Sequence, residues 1–293
     1  MSNARKRRYA AAAFIALLLL SVLWPSPVVS SNRLWLNEPL AVDELSFLGR
    51  EAPSWDVVFW CLAGLFALLI VQSGAESLDF GEAVRQVRAV RMRFTRGHAL
   101  LLVMGALLVA FIWLYVDARV LAFAELIQSE RTEDAARLAN RLGGGMNPAM
   151  LVFFFLLAGV AYREKRWVSY AVAMAFAGLG AGVLAQLVKA VVARARPELW
   201  LGPFQYAPGS ATSFPSGHTV GAFALAGVLV FASPSWPLRI VAFLLAASVG
   251  ASRVLAFRHW TSDVTASAIL GLLAAALFTR AVTRVTHDPP AAP

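Results

Sequence analysis

The sequence predicts an all-α fold, a polytopic bundle of transmembrane helices, and two observations support this prediction. Of the 293 residues, 59% are apolar and 15% are charged, a balance shifted toward apolar residues relative to soluble globular proteins. The apolar residues also fall in several separate runs that approach the roughly 20 residues a helix needs to cross a bilayer. These two features argue against one large soluble domain.

The predicted spans begin at the N-terminus. The basic cluster from Arg5 to Arg8 precedes the apolar stretch Tyr9–Trp24, an order typical of either a membrane anchor that starts in the cytoplasm or a secretory signal peptide. Both alternatives leave the following loop outside. Seven further apolar segments are predicted to span the membrane: 56–73, 98–116, 148–162, 168–190, 217–232, 240–256 and 263–280.

The loops between these spans predict the topology. If every segment crosses, the cytoplasmic side holds loops and a tail that are net basic: Arg85, Arg88, Arg91, Arg93, Arg96, Arg163, Lys165, Arg166, Arg239, Arg280 and Arg284. Loops on the other side mix arginines with acids: Glu38, Asp43, Glu44, Glu51, Asp56, Asp117, Glu125, Glu130, Glu133 and Asp134. The positive-inside rule therefore places both termini in the cytoplasm, unless the N-terminal segment is cleaved.

The formal net charge of +9 raises the question of a nucleic-acid partner. The basic residues lie in short clusters between apolar runs, where they act as topology signals, so we expect no nucleic acid to bind. Cys61 is the only cysteine, and it excludes an intrachain disulfide. On the outer side, the amphipathic stretch Val120–Leu142, followed by three glycines, predicts an interfacial helix or a simple connector.

The first of three polar clusters closes the span that starts near residue 168. Lys189 and Arg196 are seven residues apart, close to two helical turns, so both cations share one helix face before Pro197 ends the helix. Snorkelling cations at a membrane boundary are the simpler explanation. Positive-inside bias, however, disfavours arginines at an outer end, and an anionic ligand would explain them.

The second cluster is Phe214-Pro215-Ser216-Gly217-His218, immediately before the span 219–232. Ser216 is a helix-start residue, Gly217 permits close backbone approach, and a helix N-terminus presents free N–H groups to an anion. A phosphate group would fit there. The alternative is an ordinary capped helix with a lone interfacial histidine.

The third cluster consists of Ser252 and Arg253 at the end of one span and His259 and Asp263 at the start of the next. His259 and Asp263 are four residues apart, so on a helix the carboxylate can hold one imidazole nitrogen and leave the other free as a nucleophile. A surface His–Asp pair without function is the alternative.

Topology brings all three clusters to the outer side of the membrane. Together they supply cations, a helix N-terminus and two histidines, the components of phosphoryl transfer through a covalent phosphohistidine. Metal binding by His218 and His259 is the competing interpretation, but no cysteine and few carboxylates lie near enough in sequence to complete such a site.

These residues closely resemble the type 2 phosphatidic acid phosphatase family, whose superfamily includes vanadium-dependent haloperoxidases and bacterial acid phosphatases. The family signature is Lys, six residues, Arg-Pro; then Pro-Ser-Gly-His; then Ser-Arg, five residues, His, three residues, Asp. It is matched at every position by Lys189 to Pro197, Pro215 to His218, and Ser252 to Asp263.

The resemblance implies an organisation for the chain. Residues 98–284 would form a phosphatase core of six helices, whose first helix and outer loop are similar to 98–147. Residues 1–97 would form an additional membrane region of two helices with a basic cytoplasmic loop, and 285–293 a disordered tail.

The resemblance also implies roles for the matched residues. His259 would attack phosphorus, Asp263 would orient it, and His218 would protonate the leaving oxygen and later activate water. Lys189, Arg196, Ser216, Gly217 and Arg253 would bind the phosphoryl oxygens, with no cofactor and no metal. Two arginines outside the signature, Arg194 and Arg258, are interpreted as secondary electrostatic contributors or lipid-headgroup anchors.

A site at the bilayer surface favours a membrane lipid as substrate. Relatives act on polyprenyl diphosphates, phosphatidylglycerol phosphate, phosphatidic acid and lipid A, and family breadth favours the polyprenyl diphosphate or phosphatidate types. Trp200, Phe204 and Tyr206 are expected to line an access path or form an aromatic belt. Lipid-to-lipid phosphotransfer and a non-enzymatic transporter or lipid-binding scaffold remain alternatives, and the oligomeric state is left open. The expected location is a bacterial inner membrane, with the site facing the periplasm.

Overall fold

A computed structural model describes residues 96–144, 147–207 and 212–285 of the chain. The predicted spans 9–24 and 56–73, and the predicted tail 285–293 beyond its first residue, lie outside these described residues. The chain divides into two compact units, residues 1–78 with 157–164, and residues 79–156 with 165–293. The second unit contains every residue of the site described below.

Within the described ranges the structure is all-helical, which confirms the predicted fold class. Its eight α-helices are α1 (Arg96–Tyr115), α2 (Asp117–Leu126), α3 (Glu130–Gly143), α4 (Asn147–Tyr162), α5 (Lys165–Val192), α6 (Gly217–Ala232), α7 (Trp236–Leu255) and α8 (Thr261–Val285). A short 3-10 helix, Pro197–Leu199, lies between α5 and α6. The six apolar segments predicted after residue 97 correspond to α1 and α4–α8, with ends that differ by a few residues.

Three of these helices are long and apolar enough to cross a membrane: α5, α7 and the Thr261–Arg280 part of α8. A fourth candidate is the bent pair Ala99–Tyr115 and Asp117–Leu126, whose axes differ by 56°. The remaining apolar helices, α4 and α6, are shorter. The structure therefore supports a multi-pass membrane protein.

The interior of the second unit is built around α6, which packs against α5, α7 and α8. Its buried face includes Val220, Ala224 and Val228, each with no exposed surface. Gly271 of α8 permits the closest approach, because a Cβ atom there would lie 2.7 Å from the carbonyl oxygen of Val220. This packing brings the start of α6 next to the start of α8.

The stretch Val120–Leu142 is not one amphipathic helix, so that expectation is wrong. The chain breaks at Ser129, whose side chain caps α3 and forms a reciprocal capping box with Thr132. One face of α3 packs against α7, and a Cβ atom on Gly143 would overlap the side chain of Val249. The strong local start signal at Ser129 ends the preceding helix, and the second helix is directed back onto the bundle.

Candidate active site

The three polar clusters lie at one end of the helix bundle. Lys189 of the first cluster lies in the last turn of α5, but α5 ends at Val192 and Arg196 is extended, so the expectation that these two cations share one helix face is wrong. The second cluster opens α6, and the third joins the end of α7 to the start of α8. Lys189 Nζ and Arg196 Nε both donate to the carbonyl oxygen of Thr212, each over 3.4 Å, which links the first cluster to the second. Ser216 N donates to Ser267 Oγ over 2.7 Å, which links the second cluster to α8.

Arg196 belongs to a small ionic group at the edge of this cluster. Its Nη1 lies 3.2 Å from Glu198 Oε1, and Arg258 Nη1 lies 2.8 Å from the same oxygen. Glu198 is held in the 3-10 helix, where its N–H donates to the carbonyl oxygen of Phe257 over 3.0 Å. The Glu198 carboxylate therefore bridges two arginines. Arg196 is predicted to bind phosphate, and Arg258 lies outside the signature.

Arg253 is buried, with 6% of its surface exposed, although it carries a positive charge. Its Nη1 donates to Asn140 Oδ1 on α3. This contact was not predicted, because Asn140 lies 113 positions from Arg253 along the chain. The hydrogen bond joins the outer helix α3 to the cationic cluster.

His218 opens α6 and lies against the residue that follows α3. A Cβ atom on Gly144 would come within 2.7 Å of His218 Nε2, so only glycine leaves the imidazole undisturbed. Its electrostatic neighbours include Arg253, His259, Lys189 and Arg196. The structure thus brings the residues predicted to act on the phosphoryl group into one cluster.

Ser216 and Gly217 differ in their exposure. Ser216 is fully buried, and its hydroxyl caps α6, accepting from Thr219 N over 3.5 Å and bonding to Thr219 Oγ1 over 2.9 Å. Gly217 is exposed, and a Cβ atom there would meet no atom within 4 Å. The open approach to the α6 N-terminus is therefore at Gly217.

His259 lies between α7 and α8 with 3% of its surface exposed. Its Nδ1 is 3.7 Å from Asp263 Oδ2 and 3.4 Å from Ser213 Oγ. Because Nδ1 faces this polar pair, Nε2 is the nitrogen on the opposite side of the ring. Burial lowers the pKa of His259 to about 4, although the neighbouring Asp263 carboxylate, which favours the protonated imidazole, opposes the shift. The imidazole is therefore neutral at neutral pH and able to act as a nucleophile.

Asp263 is fully buried and accepts hydrogen bonds at both oxygens. Arg194 Nη1 lies 2.6 Å from Oδ1, and Trp260 N donates to Oδ2 over 2.9 Å. Ser213 Oγ also donates to Oδ2. Ser213 therefore contacts both members of the predicted His–Asp pair.

Of the two alternatives for Arg194, the lipid-headgroup anchor is wrong, and the structure agrees with an electrostatic contributor. Its guanidinium is 1% exposed and pairs with Asp117 as well as with Asp263. The sequence pattern did not reveal this because Arg194 resembles a boundary cation, whereas its two partners lie 77 and 69 positions away. Arg258 is also buried, with 8% exposed, and pairs with Glu198 instead of facing a headgroup.

Several residues that contact the site carry no signal in the signature: Asn140, Gly144, Glu198 and Ser213. Two of them lie beside a motif: Glu198 directly follows Pro197, and Ser213 comes one residue before Phe214. Among the described residues, no group of three or more His, Cys, Asp or Glu side chains is placed to hold one metal ion. The loop after the 3-10 helix carries three aromatic side chains that are exposed: Trp200 is 60%, Phe204 54% and Tyr206 75% exposed.

The part of the chain that carries the three clusters is similar to known proteins. Residues 166–287 match the PAP2 superfamily. Over 112 residues the chain is 42% identical to a lipid A 1-phosphatase of Rhizobium johnstonii and 40% identical to one of Rhizobium etli. These matches cover 34% of this chain and 44% and 46% of the relatives, so the chain spans less than half the length of these relatives.

The fold is similar to that of a solved membrane protein, described as the first transmembrane PAP2 type phosphatidylglycerolphosphate phosphatase from Bacillus subtilis. The TM-score is 0.52 at 24% sequence identity. The superposition covers 66% of this chain and 98% of the Bacillus chain. At this identity the likeness supports the helical fold.

Proposed function

We propose that the chain is a membrane phosphatase of the PAP2 superfamily, which hydrolyses a phosphate or diphosphate monoester of a lipid. The observation that carries this proposal is the placement of His259. Its buried, neutral imidazole turns Nδ1 toward Asp263 and Ser213 and lies within electrostatic reach of Lys189 and Arg253. A nucleophile beside an orienting carboxylate and fixed cations suits attack on a phosphoryl group.

In the first step, Nε2 of His259 attacks phosphorus and forms a nitrogen–phosphorus bond. The bond between phosphorus and the leaving oxygen breaks, and His218, which carries a proton when the negatively charged substrate is bound beside it, gives that proton to the oxygen. A phosphate ester then releases the lipid alcohol, and a diphosphate releases the lipid monophosphate. Asp263 stabilises the positive charge that develops on the imidazole.

In the second step, His218 takes a proton from water, and the water oxygen attacks the phosphorus of phosphorylated His259. The nitrogen–phosphorus bond breaks, inorganic phosphate leaves, and the imidazole is regenerated. The sum of the two steps is hydrolysis of one ester by one water.

The phosphoryl oxygens are proposed to bind among Lys189, Arg196 and Arg253. Ser216 and the N–H of Gly217, at the positive end of α6, complete the binding site. Glu198 would share Arg196 with the substrate, since its carboxylate contacts that arginine over 3.2 Å. No cofactor and no metal ion take part in the proposed reaction.

The lipid substrate is proposed from the relatives of the chain. The relatives in Rhizobium are named lipid A 1-phosphatases, and this similarity makes lipid A the first substrate to test. Polyprenyl diphosphate and phosphatidate-type lipids, which the sequence favoured, come next. The site is proposed to face the periplasmic side of a bacterial inner membrane, with the exposed loop around Trp200 and Phe204 at the bilayer surface.

The experiment is phosphate release by detergent-purified protein, with EDTA present, from a panel of four lipids. The panel contains lipid A, undecaprenyl diphosphate, phosphatidylglycerol phosphate and phosphatidic acid. We expect release from at least one lipid, no release by His259→Ala, and unchanged release by Ser248→Ala, an exposed serine on α7. Release only when a second lipid is added as acceptor would instead identify a phosphotransferase. No reaction from folded protein under either condition would favour a non-catalytic scaffold.

A further inference from the structure

The structure contains a buried ionic network behind the proposed nucleophile. Arg194 is 1% exposed, and the two carboxylates that pair with it, Asp117 and Asp263, are 1% and 0% exposed. A buried charge is costly unless partners compensate for it, and here one cation is shared between two carboxylates. We propose that Asp117 and Arg194 are positioning residues, which hold Asp263 in the orientation that directs His259 toward the phosphoryl group.

Arg194 has little freedom to move. Its Nη1 lies 2.6 Å from Asp263 Oδ1, its Nη2 lies 2.7 Å from Asp117 Oδ2, and its Nε donates to the carbonyl oxygen of Pro203 over 2.9 Å. The guanidinium carbon is also 4.0 Å from the centre of the Trp113 ring and 5.0 Å from that of Trp260. Because the planar guanidinium of Arg194 is held at three nitrogens, it fixes the orientation of the Asp263 carboxylate that it binds.

The two oxygens of Asp263 have different partners, and this division sets the plane of its carboxylate. Oδ1 contacts Arg194, whereas Oδ2 faces His259 Nδ1 and accepts from Trp260 N and Ser213 Oγ. Loss of the Arg194 contact would free one oxygen, and the carboxylate would rotate about its side-chain bonds. The imidazole, at 3.7 Å, would then lose its alignment.

Asp117 holds the network from a separate part of the chain. It lies at the bend between α1 and α2, and it also accepts from Ser262 N over 2.8 Å and from Ser262 Oγ over 2.5 Å. Ser262 Oγ in turn contacts Arg194 Nη1 over 2.7 Å. Asp117 neutralises part of the positive charge of Arg194. Asp263 is therefore only partly neutralised by Arg194, and it keeps enough negative charge to attract the proton on His259 Nδ1.

The inference rests on the proposed function, because it assigns the network to the same nucleophile. It predicts that Asp117→Asn lowers kcat about 10- to 100-fold and leaves KM within about twofold, since the change misaligns His259 but leaves the phosphate ligands in place. The matched control is Asp134→Asn, which removes an exposed carboxylate paired with Arg137. We expect this control to behave like the unchanged protein.

The pH profile separates positioning from a merely structural role. The charged and titratable groups around His259 are Asp263 on α8, Arg253 on α7, Lys189 on α5 and His218 on α6, with Arg194 and Asp117 behind Asp263. Loss of a negative charge at Asp117 favours neutral imidazole, so the acidic limb of kcat/KM should move to lower pH. Arg194→Gln removes a positive charge, and the limb should move to higher pH.

A double-mutant cycle tests whether Asp117 acts through Asp263. In the Asp263→Asn background, we expect Asp117→Asn to cause less than about a twofold further loss. Equal losses in both backgrounds would overturn the proposal. If Asp117→Asn does not fold, Ser262→Ala removes hydrogen bonds from the network and leaves every charge in place. That variant should lower kcat at unchanged KM, and activity equal to the unchanged protein would also overturn the proposal.

Orthovanadate binding separates failure of this inference from failure of the proposed function. Vanadate mimics the five-coordinate phosphorus of the transition state, so calorimetric titration reports alignment of His259 without a lipid substrate. If no lipid is hydrolysed but vanadate binds more weakly to Asp117→Asn, the proposed function fails and the positioning role is supported. If the unchanged protein binds no vanadate, both fail. If vanadate binds equally well to the protein and the variant, the positioning role alone fails.

Discussion

The two regions that build the site differ in how visible they are in the sequence. Residues 189–263 carry every signature residue, within the segment 166–287 that matches the PAP2 superfamily. The upstream segment 96–144 carries none, yet it supplies Asp117 to Arg194, Asn140 to Arg253 and Gly144 beside His218. The proposed reacting groups therefore come from one segment that carries the signature, whereas part of the contacts that hold them in place come from a separate segment.

The largest expected effect lies in the signature region. His259→Ala should lower phosphate release by at least about 1000-fold and abolish an acid-labile phosphoenzyme, because His259 is the proposed nucleophile that forms the covalent intermediate. Rapid quench with radiolabelled lipid measures both quantities. Phosphoenzyme that persists in this variant would show that the nucleophile is another residue. The signature region would then not be the source of the reacting group.

The next effect tests whether the upstream segment reaches the reacting groups. Gly144→Ala should lower kcat about 10- to 100-fold, because the added Cβ would lie 2.7 Å from His218 Nε2 and displace the imidazole. The backbone at Gly144, with φ of −109°, accommodates alanine, so strain of the main chain does not confuse the result. The measurement is steady-state kinetics at saturating lipid.

Gly182→Ala is the matched control, since a Cβ atom at Gly182 meets no other atom within 4 Å. We expect it to retain full activity. Equal activity of both variants would mean that the upstream segment does not constrain His218, and the contribution of that segment would then be limited to Asp117 and Asn140.

A smaller effect is expected from the contact between α3 and the cationic cluster. Asn140→Ala removes the acceptor of Arg253 Nη1 and should raise KM about 3- to 10-fold, with a lesser change in kcat, because the guanidinium loses one fixed partner. Leu138→Ala, an exposed position on the same helix, serves as control. A fall in kcat at constant KM would instead assign Asn140 to the alignment of the histidines.

The smallest effect concerns the protonation of His259. Its pKa is lowered to about 4, so the reactive neutral form persists above that pH, and kcat/KM should fall to half near pH 4. The unfolded chain binds this proton near pH 6.5, so the folded state also loses stability as pH falls below that value. A pH profile of kcat/KM, recorded together with melting curves at the same pH values, separates the loss of reactivity from the loss of stability. An acidic limb near pH 6.5 would mean that burial does not dominate the pKa of His259.

Much of the helical fold was predictable because apolar runs identify membrane helices directly. Helix α6 begins at Gly217 and ends at Ala232, the bounds expected from the run 217–232 and its Pro-Ser start signal. The region 117–143 was predicted less well, since its amphipathic pattern is continuous across the break at Ser129. A capping box is a short-range signal that a pattern averaged over many residues conceals.

The sequence by itself determined the apolar helices, the three motifs of the signature and the proximity of His259 to Asp263, because each depends on residues within a few helical turns. Only the tertiary structure decided that Arg194 is buried between Asp117 and Asp263, and that Asn140 and Gly144 touch the cluster. The physical reason is distance along the chain. Contacts over 69 to 113 positions arise when helices pack, and no local periodicity records them.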